Sequence, residues 1–207
     1  MSRGFFITFE GPDGSGKSTQ AHFLAQNLQE EGYSVLLTRE PGGTALGEAV
    51  RGILLGKDLQ MSNETEALLY AAARAQHVEE KIKPALEQGK IVICDRFVDS
   101  SLAYQGYGLG LPLEELKKIN SFAARGLRPN LTFLLDLEPE RGLARARIER
   151  GQMDRIEERA LEFHSKVRHG FLDLAKQERE RFCVLQIADM SKEETAAFIW
   201  NQTLNLL

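Results

Sequence analysis

The chain has 207 residues, of which 43% are hydrophobic, so it is long enough for a full core and short enough to form a single domain over residues 1–207. Its formal net charge of -4 and its pI near 5.7 argue against a protein that holds nucleic acid through a basic surface. No apolar run approaches the roughly 20 residues that span a bilayer, so we expect a soluble, cytoplasmic protein that binds neither nucleic acid nor a membrane.

The cysteine pattern fits that compartment. Cys94 and Cys183 lie far apart in apolar runs, and neither has the neighbours that a zinc site requires. We expect two buried, reduced thiols rather than a disulfide, because disulfides are rare in the cytosol.

A glycine-rich stretch near the N-terminus carries the strongest pattern in the chain. An apolar segment, residues 5–9, runs directly into a GxxxxGK[ST] sequence, and helix-forming residues follow from Gln20. This order of strand, loop and helix predicts that backbone N–H groups bind nucleotide phosphates at a helix N-terminus. The predicted phosphate-binding residues are Gly11, Pro12, Asp13, Gly14, Ser15, Gly16, Lys17, Ser18 and Thr19.

Residues of this loop have distinct expected roles. Lys17 should contact the β- and γ-phosphates, and the hydroxyl of Ser18 should bind Mg²⁺. Gly14 and Gly16 allow the backbone to bend tightly around the anion. The dinucleotide pattern GxGxxG fits less well, because it requires glycine where Thr19 stands. A glycine-rich turn without a ligand is the structural alternative.

The next segments complete a βαβ unit. Helical spacing continues to Glu31, Gly32 should end the helix in a left-handed conformation, and a second strand should span residues 34–38. A right-handed crossover makes the strands parallel, so their carboxyl ends share one edge of the sheet with the phosphate loop. The segment 39–44 then lies at that edge, either near the ligand or as an ordinary turn.

Two helices are expected before the third strand. One should span residues 44–55, and a longer one should span 64–88, where Pro84 interrupts or restarts it. Asn63 and Glu66 fit a capping box at the start of the longer helix. The residues of the first helix expected to face inward are Leu46, Val50, Ile53 and Leu54.

Tyr70 and Arg74 are four residues apart in the longer helix and therefore share one face. A ring and a guanidinium on one face could hold a flat group between them. The plainer alternative is a half-buried tyrosine beside a solvated arginine.

The third strand, residues 91–94, delivers Asp95 and Arg96 to the edge that carries the phosphate loop. A carboxylate there suits Mg²⁺, directly or through water, and a guanidinium suits a second phosphate. The alternative is an ion pair between the two at the end of a strand. The polar, aromatic and glycine-rich segment 98–111 fits a substrate-binding connection or a plain loop.

The remaining pattern completes the fold. Helices are expected over 113–124, from Pro139, over 155–179 and over 192–206, the last with a capping box of Ser191 and Glu194, and strands over 131–136 and 182–187. We therefore predict an α/β fold, with a doubly wound, five-stranded parallel sheet and helices on both faces.

Arginine is concentrated in one stretch, residues 141–159, which holds six of them and is interrupted by Gly151. Mixed charge of this kind usually marks a solvated helix face. A glycine at the most basic point also fits a short mobile lid over a triphosphate, at about residues 145–156.

Four further segments stand in order behind the phosphate loop: REPGGT, LLYAAARAQH, DRFVDSSLAYQG and RARIERGQMDRIE, at residues 39–44, 68–77, 95–106 and 145–157. Together with the loop they closely resemble bacterial thymidylate kinases, over essentially the whole chain. The resemblance implies phosphorylation of dTMP to dTDP by ATP with Mg²⁺, a P-loop kinase fold, a mobile lid and usually a homodimer.

The resemblance also implies roles for single residues. Asp13 matches an acidic residue that reaches the 3′-hydroxyl of dTMP, Tyr70 a phenylalanine that stacks on thymine, and Arg74 an arginine that bonds the base. Arg96 matches an arginine on the dTMP phosphate, and Tyr104 an aromatic residue under the deoxyribose. The other substrate-binding residues implied by the match are Arg51, Ser101 and Gln105, and the metal-binding residues are Ser18 and Asp95.

Catalysis in such an enzyme is direct phosphoryl transfer, in which the protein positions two anions and neutralises the charge on the transferring group. Some family members carry an arginine in the phosphate loop, where this chain has Gly14. A lid arginine should then supply that charge, with Arg150 first and Arg147 second, and Gly14→Arg should restore part of the activity lost in Arg150→Ala. The predicted catalytic residues are Asp13, Lys17, Arg96, Arg147 and Arg150.

Three residues depart from the family pattern. Tyr70 adds a hydroxyl, Ala73 replaces a common aspartate, and Met190 stands where the family usually has a small alanine in its adenine loop. The first two changes bear on base selectivity rather than on the reaction.

Two other functions are alternatives. A P-loop kinase for another nucleoside monophosphate or a small metabolite is disfavoured by Tyr70, Arg74 and Tyr104. A GTP-dependent switch protein is disfavoured because the chain lacks an NKxD-type guanine-reading sequence.

Overall fold

The computed structural model describes residues 4–151 and 153–207, apart from the side chains of Glu149 and Arg150. Its strands are β1 (Phe5–Glu10), β2 (Val35–Arg39), β3 (Ile91–Asp95), β4 (Leu131–Asp136) and β5 (Phe182–Gln186). They form a five-stranded sheet in the order β2-β3-β1-β4-β5, and every neighbouring pair is parallel. This arrangement confirms the predicted doubly wound parallel sheet.

Helices connect these strands along the chain. The α-helices are α1 (Lys17–Glu30), α2 (Ala45–Leu55), α3 (Asn63–His77), α4 (Lys83–Glu87), α5 (Val98–Ser101), α6 (Leu113–Ala123), α7 (Pro139–Arg150), α8 (Leu161–Gln177) and α9 (Lys192–Leu204). Two π-helical segments, Val78–Ile82 and Leu102–Gly108, continue α3 and α5. Among the described residues, we find no helix long and apolar enough to cross a bilayer.

The sheet is covered on both faces, as parallel sheets require. Phe9 of β1 packs with Leu28 of α1 and Ile199 of α9 on one face. Phe6 packs with Ile82 of the first π segment on the other face. The packed core therefore fixes the carboxyl ends of β1 and β3, where the phosphate loop and Asp95 begin.

The long helix predicted over 64–88 is present, but its start differs. Ser62 is the cap, since its hydroxyl accepts the Thr65 N–H at 3.2 Å, while Asn63 is already helical. The predicted capping box of Asn63 and Glu66 is therefore wrong. Pro84 does not end the helical path: it is the second residue of α4, which directly continues the π-helical segment Val78–Ile82.

The segment 98–111 is helical from Val98 to Gly108 rather than an irregular connection. The helix predicted over 155–179 begins only at Leu161. Its first residues form a separate turn, because Asp154 Oδ1 accepts the N–H groups of Ile156 and Glu157 at 2.8 and 2.9 Å.

Two predicted helix termini are confirmed, whereas the predicted inward face of α2 is only partly correct. Gly32 has a left-handed φ of +86°, and the Ser191–Glu194 capping box is present, both as predicted. Leu46 and Ile53 are 50% and 40% exposed, so the prediction that they face inward is wrong. The inward face of α2 is formed by its other predicted residues, Val50 and Leu54, together with Gly47. Both cysteines are free; Cys94 is buried, while Cys183 is partly exposed.

Candidate active site

The phosphate loop joins β1 to α1 and is shaped by glycines. Gly14 and Gly16 have left-handed φ values of +70° and +81°, and Gly16 directly precedes α1. A Cβ on Gly14 would lie 1.9 Å from the carbonyl oxygen of Gly142 in α7, which no side chain could tolerate. The expectation that Gly14→Arg restores activity is therefore wrong, because the loop backbone touches the backbone of α7 at this point.

Lys17 lies inside the loop. Its ammonium donates to the Pro12 carbonyl oxygen at 2.7 Å and to Ser15 Oγ at 3.2 Å, and the residue is only 6% exposed. Burial, followed by the positive charge of Arg96, lowers the pKa of Lys17 to about 8. Negative phosphates would favour its charged form, as expected for a lysine that binds them.

Ser18 and Asp95 meet where α1 begins and β3 ends. The hydroxyl of Ser18 donates to Asp95 Oδ2 at 2.5 Å. Asp95 Oδ1 is buried and has no hydrogen-bond partner in the described part of the chain. A hydroxyl beside a carboxylate with a free oxygen fits Mg²⁺, which prefers oxygen ligands and usually takes only one or two carboxylates.

Arg96 follows β3 and lies in an unusual turn, with a left-handed φ of +71°. Its guanidinium donates to the Gly11 carbonyl oxygen at 3.0 Å, Ser100 Oγ at 3.1 Å, Asp13 Oδ1 at 2.6 Å and the Tyr104 hydroxyl at 3.1 Å. The Tyr104 hydroxyl in turn donates to Asp13 Oδ2 at 2.7 Å. The sequence left open an ion pair between Asp95 and Arg96 at the end of the strand. In the structure, Arg96 instead forms an ion pair with Asp13 of the phosphate loop.

The charges around Asp13 keep it ionised. Burial alone would raise its pKa, but the charges of Arg96 and Lys17 outweigh burial and bring the pKa to about 2. Each carboxylate oxygen has a second lone pair, so Asp13 can accept a further hydrogen bond from a hydroxyl ligand.

One cavity of about 330 Å³ joins the phosphate loop to the predicted substrate residues. All eight predicted substrate-binding residues line it: Asp13, Arg51, Tyr70, Arg74, Arg96, Ser101, Tyr104 and Gln105. Sequence reasoning did not single out several others that line it, among them Glu40, Leu55, Ser100, Asp154 and Ile156. Of these, Glu40 carried a signal in the REPGGT segment, whereas Asp154 carried none beyond its place in a charged stretch.

Arg74 is buried deep in this cavity wall and is 1% exposed, so the solvated-arginine alternative is wrong. Its guanidinium donates to Glu40 at 2.7 Å, to Ser101 Oγ and the Phe97 carbonyl oxygen at 3.0 Å, and to Asn120. Four of its five N–H groups are thus engaged by protein, which leaves one for a ligand. The guanidinium also lies over the Phe97 ring, 5.4 Å from its centroid.

A second cavity, of about 380 Å³, lies on the other side of the loop. It is lined by Gly14, Ser15, Gly16, Thr19, Gln20, Arg145, Ile187, Met190, Ser191, Lys192 and Thr195. Of the predicted phosphate-binding residues, Gly11 and Pro12 line neither cavity. Their carbonyl oxygens instead hold Arg96 and Lys17.

The arginine-rich stretch divides into two parts. Arg147 is exposed on α7, which ends at Arg150 and is capped by Gly151, while the side chain of Arg150 lies outside the described residues. Arg155 and Arg159 instead bind one oxygen of the buried Glu66 carboxylate, at 2.7 and 2.6 Å. A solvated face therefore does not describe the second part of the stretch.

Comparisons with known proteins agree with this geometry. The sequence profile of the thymidylate kinase family matches residues 9–199. Proteins named thymidylate kinase from a species of Exiguobacterium and from Deinococcus radiodurans are 54% and 52% identical, over 92% and 97% of this chain and 89% and 96% of their own lengths. The crystal structure of thymidylate kinase from Ehrlichia chaffeensis matches with a TM-score of 0.77 at 38% identity, over 98% of both chains. The chain therefore belongs to the thymidylate kinase family.

Proposed function

We propose that this protein transfers the γ-phosphoryl group of ATP to dTMP and thereby produces dTDP. The observation that carries this proposal is the single cavity in which the phosphate loop, the Asp13–Arg96–Tyr104 cluster and Tyr70 meet. A donor phosphate on the loop and an acceptor phosphate at Arg96 would share that space. Membership of the thymidylate kinase family supports ATP as donor and dTMP as acceptor.

The Asp13–Arg96–Tyr104 cluster and the ring of Tyr70 orient the acceptor. Arg96 binds the 5′-phosphate through its guanidinium, and Asp13 accepts from the 3′-hydroxyl of the sugar. Tyr70 stacks on the base, while Arg74 donates its remaining N–H to a base oxygen. This fixed placement holds an oxygen of the dTMP phosphate in line with the γ-phosphoryl group, which is the main requirement of phosphoryl transfer.

The donor lies on the phosphate loop, with Lys17 and the first N–H groups of α1 against its phosphates. We assign the adenine ring to the second cavity, beside Met190 and Arg145. Ser18 and Asp95 would hold Mg²⁺, which would neutralise charge on the donor phosphates.

We further propose one catalytic domain with a lid that begins near Arg145. The bonds that hold Arg155 to Leu54, Leu55 and Glu66 support a lid that ends before Arg155. Arg150 and Arg147 on that lid neutralise the transferring phosphoryl group.

We propose a homodimer in a reducing, cytoplasmic compartment. The neighbouring helices α2, α3 and α6 expose large apolar side chains: Leu46, Ile53, Leu68 and Phe122, the last of them 87% exposed. Exposed apolar surface of this kind suits a contact between subunits. Light scattering should give twice the chain mass for the wild type, and Phe122→Glu should shift it towards the monomer.

The function is tested by supplying ATP and Mg²⁺ with each nucleoside monophosphate in turn and measuring the diphosphate formed. We expect dTMP to give the highest kcat/KM. Preference for a different monophosphate would favour the alternative kinase, and hydrolysis of GTP without a phosphorylated product would favour a switch protein.

A further inference from the structure

Glu10 is a buried acid for which the proposed reaction provides no role. It is the last residue of β1, directly before the phosphate loop, and it is 0% exposed. A buried carboxylate is costly unless other groups bind it, so its partners indicate what it does.

Both oxygens of Glu10 bind the turn that carries Arg96. Oε1 accepts the Phe97 N–H at 2.7 Å, and Oε2 accepts the Ser100 hydroxyl at 2.5 Å. On the other side of the turn, the Arg96 N–H donates to the Phe9 carbonyl oxygen at 2.9 Å. The left-handed conformation of Arg96, unfavourable for a residue with a Cβ, is thus held from both sides by the end of β1.

Ser100 extends this hold to the guanidinium itself. Arg96 Nη1 donates to Ser100 Oγ at 3.1 Å, and the Ser100 hydroxyl in turn donates a hydrogen bond to Glu10 Oε2. An ionised carboxylate only accepts hydrogen bonds, so it fixes the Ser100 proton and turns an oxygen lone pair towards Arg96. A protonated Glu10 would donate to Ser100 and leave the Ser100 proton without this acceptor.

We propose that Glu10 is a positioning residue that, as a carboxylate, holds Arg96 in the geometry needed to bind the acceptor phosphate. This inference rests on the proposed role of Arg96. It links the start of the phosphate loop to the acceptor site, because Gly11, the next residue, also binds the guanidinium through its carbonyl oxygen.

The charges around Glu10 place its ionisation near neutral pH. Burial and then the negative charge of Asp99 raise the pKa of Glu10 to about 7, against the bond from Ser100, the charge of Arg96 and the Phe97 N–H. Lys17 and Cys94 also lie within electrostatic reach. If the carboxylate is the active form, kcat should rise with pH through about 7, or slightly higher once bound phosphates add negative charge.

The experiment compares wild type and Glu10→Gln at saturating ATP and dTMP across this pH range. The amide still accepts from Phe97 but donates to Ser100, so it imitates the protonated acid. We expect Glu10→Gln to lower kcat at high pH by about tenfold or more and to remove the rise with pH, because small misplacements of a binding group are costly in catalysis. The KM for dTMP should rise more than the KM for ATP.

A readout independent of activity is the pH dependence of unfolding. Because the pKa of Glu10 is raised from an ordinary 4.5 to about 7 in the folded protein, the folded state binds the extra proton between these values. Stability should therefore fall as pH rises through this range, and Glu10→Gln should remove that part of the slope.

Two further variants serve as a control and as an independent test. Asp136→Asn changes another buried carboxylate, which binds Arg168 at 2.7 Å and lines neither cavity, and it should lower stability without removing the rise of kcat with pH. Ser100→Ala removes a bond that lowers the pKa of Glu10, so the rise should move to higher pH. This variant also serves if Glu10→Gln does not fold.

The outcomes separate this inference from the proposed function. Unchanged kcat in Glu10→Gln, or a uniform loss that leaves the rise with pH intact, would overturn the positioning role. Arg96→Lys, which keeps the charge but loses the planar fork, should lower kcat/KM for dTMP. If Arg96→Lys behaves like the wild type, the assignment of the acceptor site fails instead.

Discussion

The positive charges of this protein fall into two groups that are held in different ways. Lys17, Arg74 and Arg96 stand alone in the sequence, are buried or nearly so, and bind carbonyl, hydroxyl and carboxylate oxygens of several elements. The stretch 141–159 is dense in arginine, yet Arg147 is exposed, Arg145 is partly buried beside the second cavity, and Arg155 and Arg159 are bound to Glu66. Arginine density in the sequence therefore does not mark the fixed part of the site; the fixed cations are single residues on α1, on α3 and in the turn after β3.

The largest effect should come from the buried group. Lys17→Ala should lower kcat by about 10²- to 10³-fold or more, because a preorganised charge beside the transferring group is lost. The fold should survive, since the Lys17 ammonium binds only its own loop. Steady-state kinetics and thermal unfolding measure both. Lys118→Ala, a lysine with 71% of its side chain exposed, is the control. Near-normal turnover in Lys17→Ala would contradict the assignment of this loop as the phosphate-binding site.

Removing a lid arginine should have the next largest effect. Arg150→Ala, and secondarily Arg147→Ala, should lower kcat by about tenfold or more with near-normal dTMP binding, because their contacts form only in the transition state. Single-turnover rates and calorimetric titration with dTMP separate the two quantities. Arg128→Ala, at a side chain that is 68% exposed, provides the comparison. Unchanged kcat in both lid variants would mean that the exposed arginines are only a solvated face.

A substitution of Tyr70 tests whether its ring binds the same substrate as the buried cations do. Tyr70→Ala should raise the KM for dTMP by roughly 5- to 150-fold, which corresponds to about 1–3 kcal/mol of lost stacking, and should leave the KM for ATP nearly unchanged. Tyr70→Phe keeps the ring and isolates the effect of the hydroxyl. Equal increases in both KM values would indicate a core residue rather than a base-stacking one.

The smallest effect on activity should come from the anchored arginines. Arg159 binds Glu66 at 2.6 Å and lies over the ring of Phe163, 4.6 Å from its centroid. Arg159→Met should therefore lower the free energy of unfolding by about 1.5–3 kcal/mol and change kcat little. Arg147→Met should show the reverse pattern. Urea unfolding and steady-state kinetics on both variants measure the loss of stability and the loss of activity. A large loss of kcat in Arg159→Met would contradict the assignment of Arg159 to a structural role.

The parallel sheet and the arrival of Asp95 and Arg96 beside the phosphate loop could be predicted from local sequence order, whereas most of the substrate-binding residues that line the first cavity were predicted from the resemblance to thymidylate kinases. A strand that ends in Asp95 and Arg96 must deliver them to the edge that carries the phosphate loop, whatever the rest of the chain does. The partners of these residues could not be predicted in the same way. Arg74 meets Glu40, and Arg159 meets Glu66 from 93 positions away, because tertiary packing brings them together.

Helical spacing also failed to predict two local details. The charged segment that follows Asp154 reads as the start of a helix, but the Asp154 carboxylate draws the chain into its own turn first. Leu46 and Ile53 fit the inward face of a helix by spacing alone, yet they are exposed and available to a partner surface.

The close approach of Gly14 and Gly142 bears on how this chain can evolve. A Cβ on Gly142 would lie 2.2 Å from the Asp13 carbonyl oxygen, and one on Gly14 would lie 1.9 Å from the Gly142 carbonyl oxygen, so neither glycine can be replaced unless the backbone facing it moves. The single mutation Gly14→Arg therefore cannot place an arginine in the phosphate loop while α7 keeps its position. Acquiring a loop arginine would require the loop and α7 to change together, so the contact between these two backbones restricts the substitutions that the phosphate loop can accept.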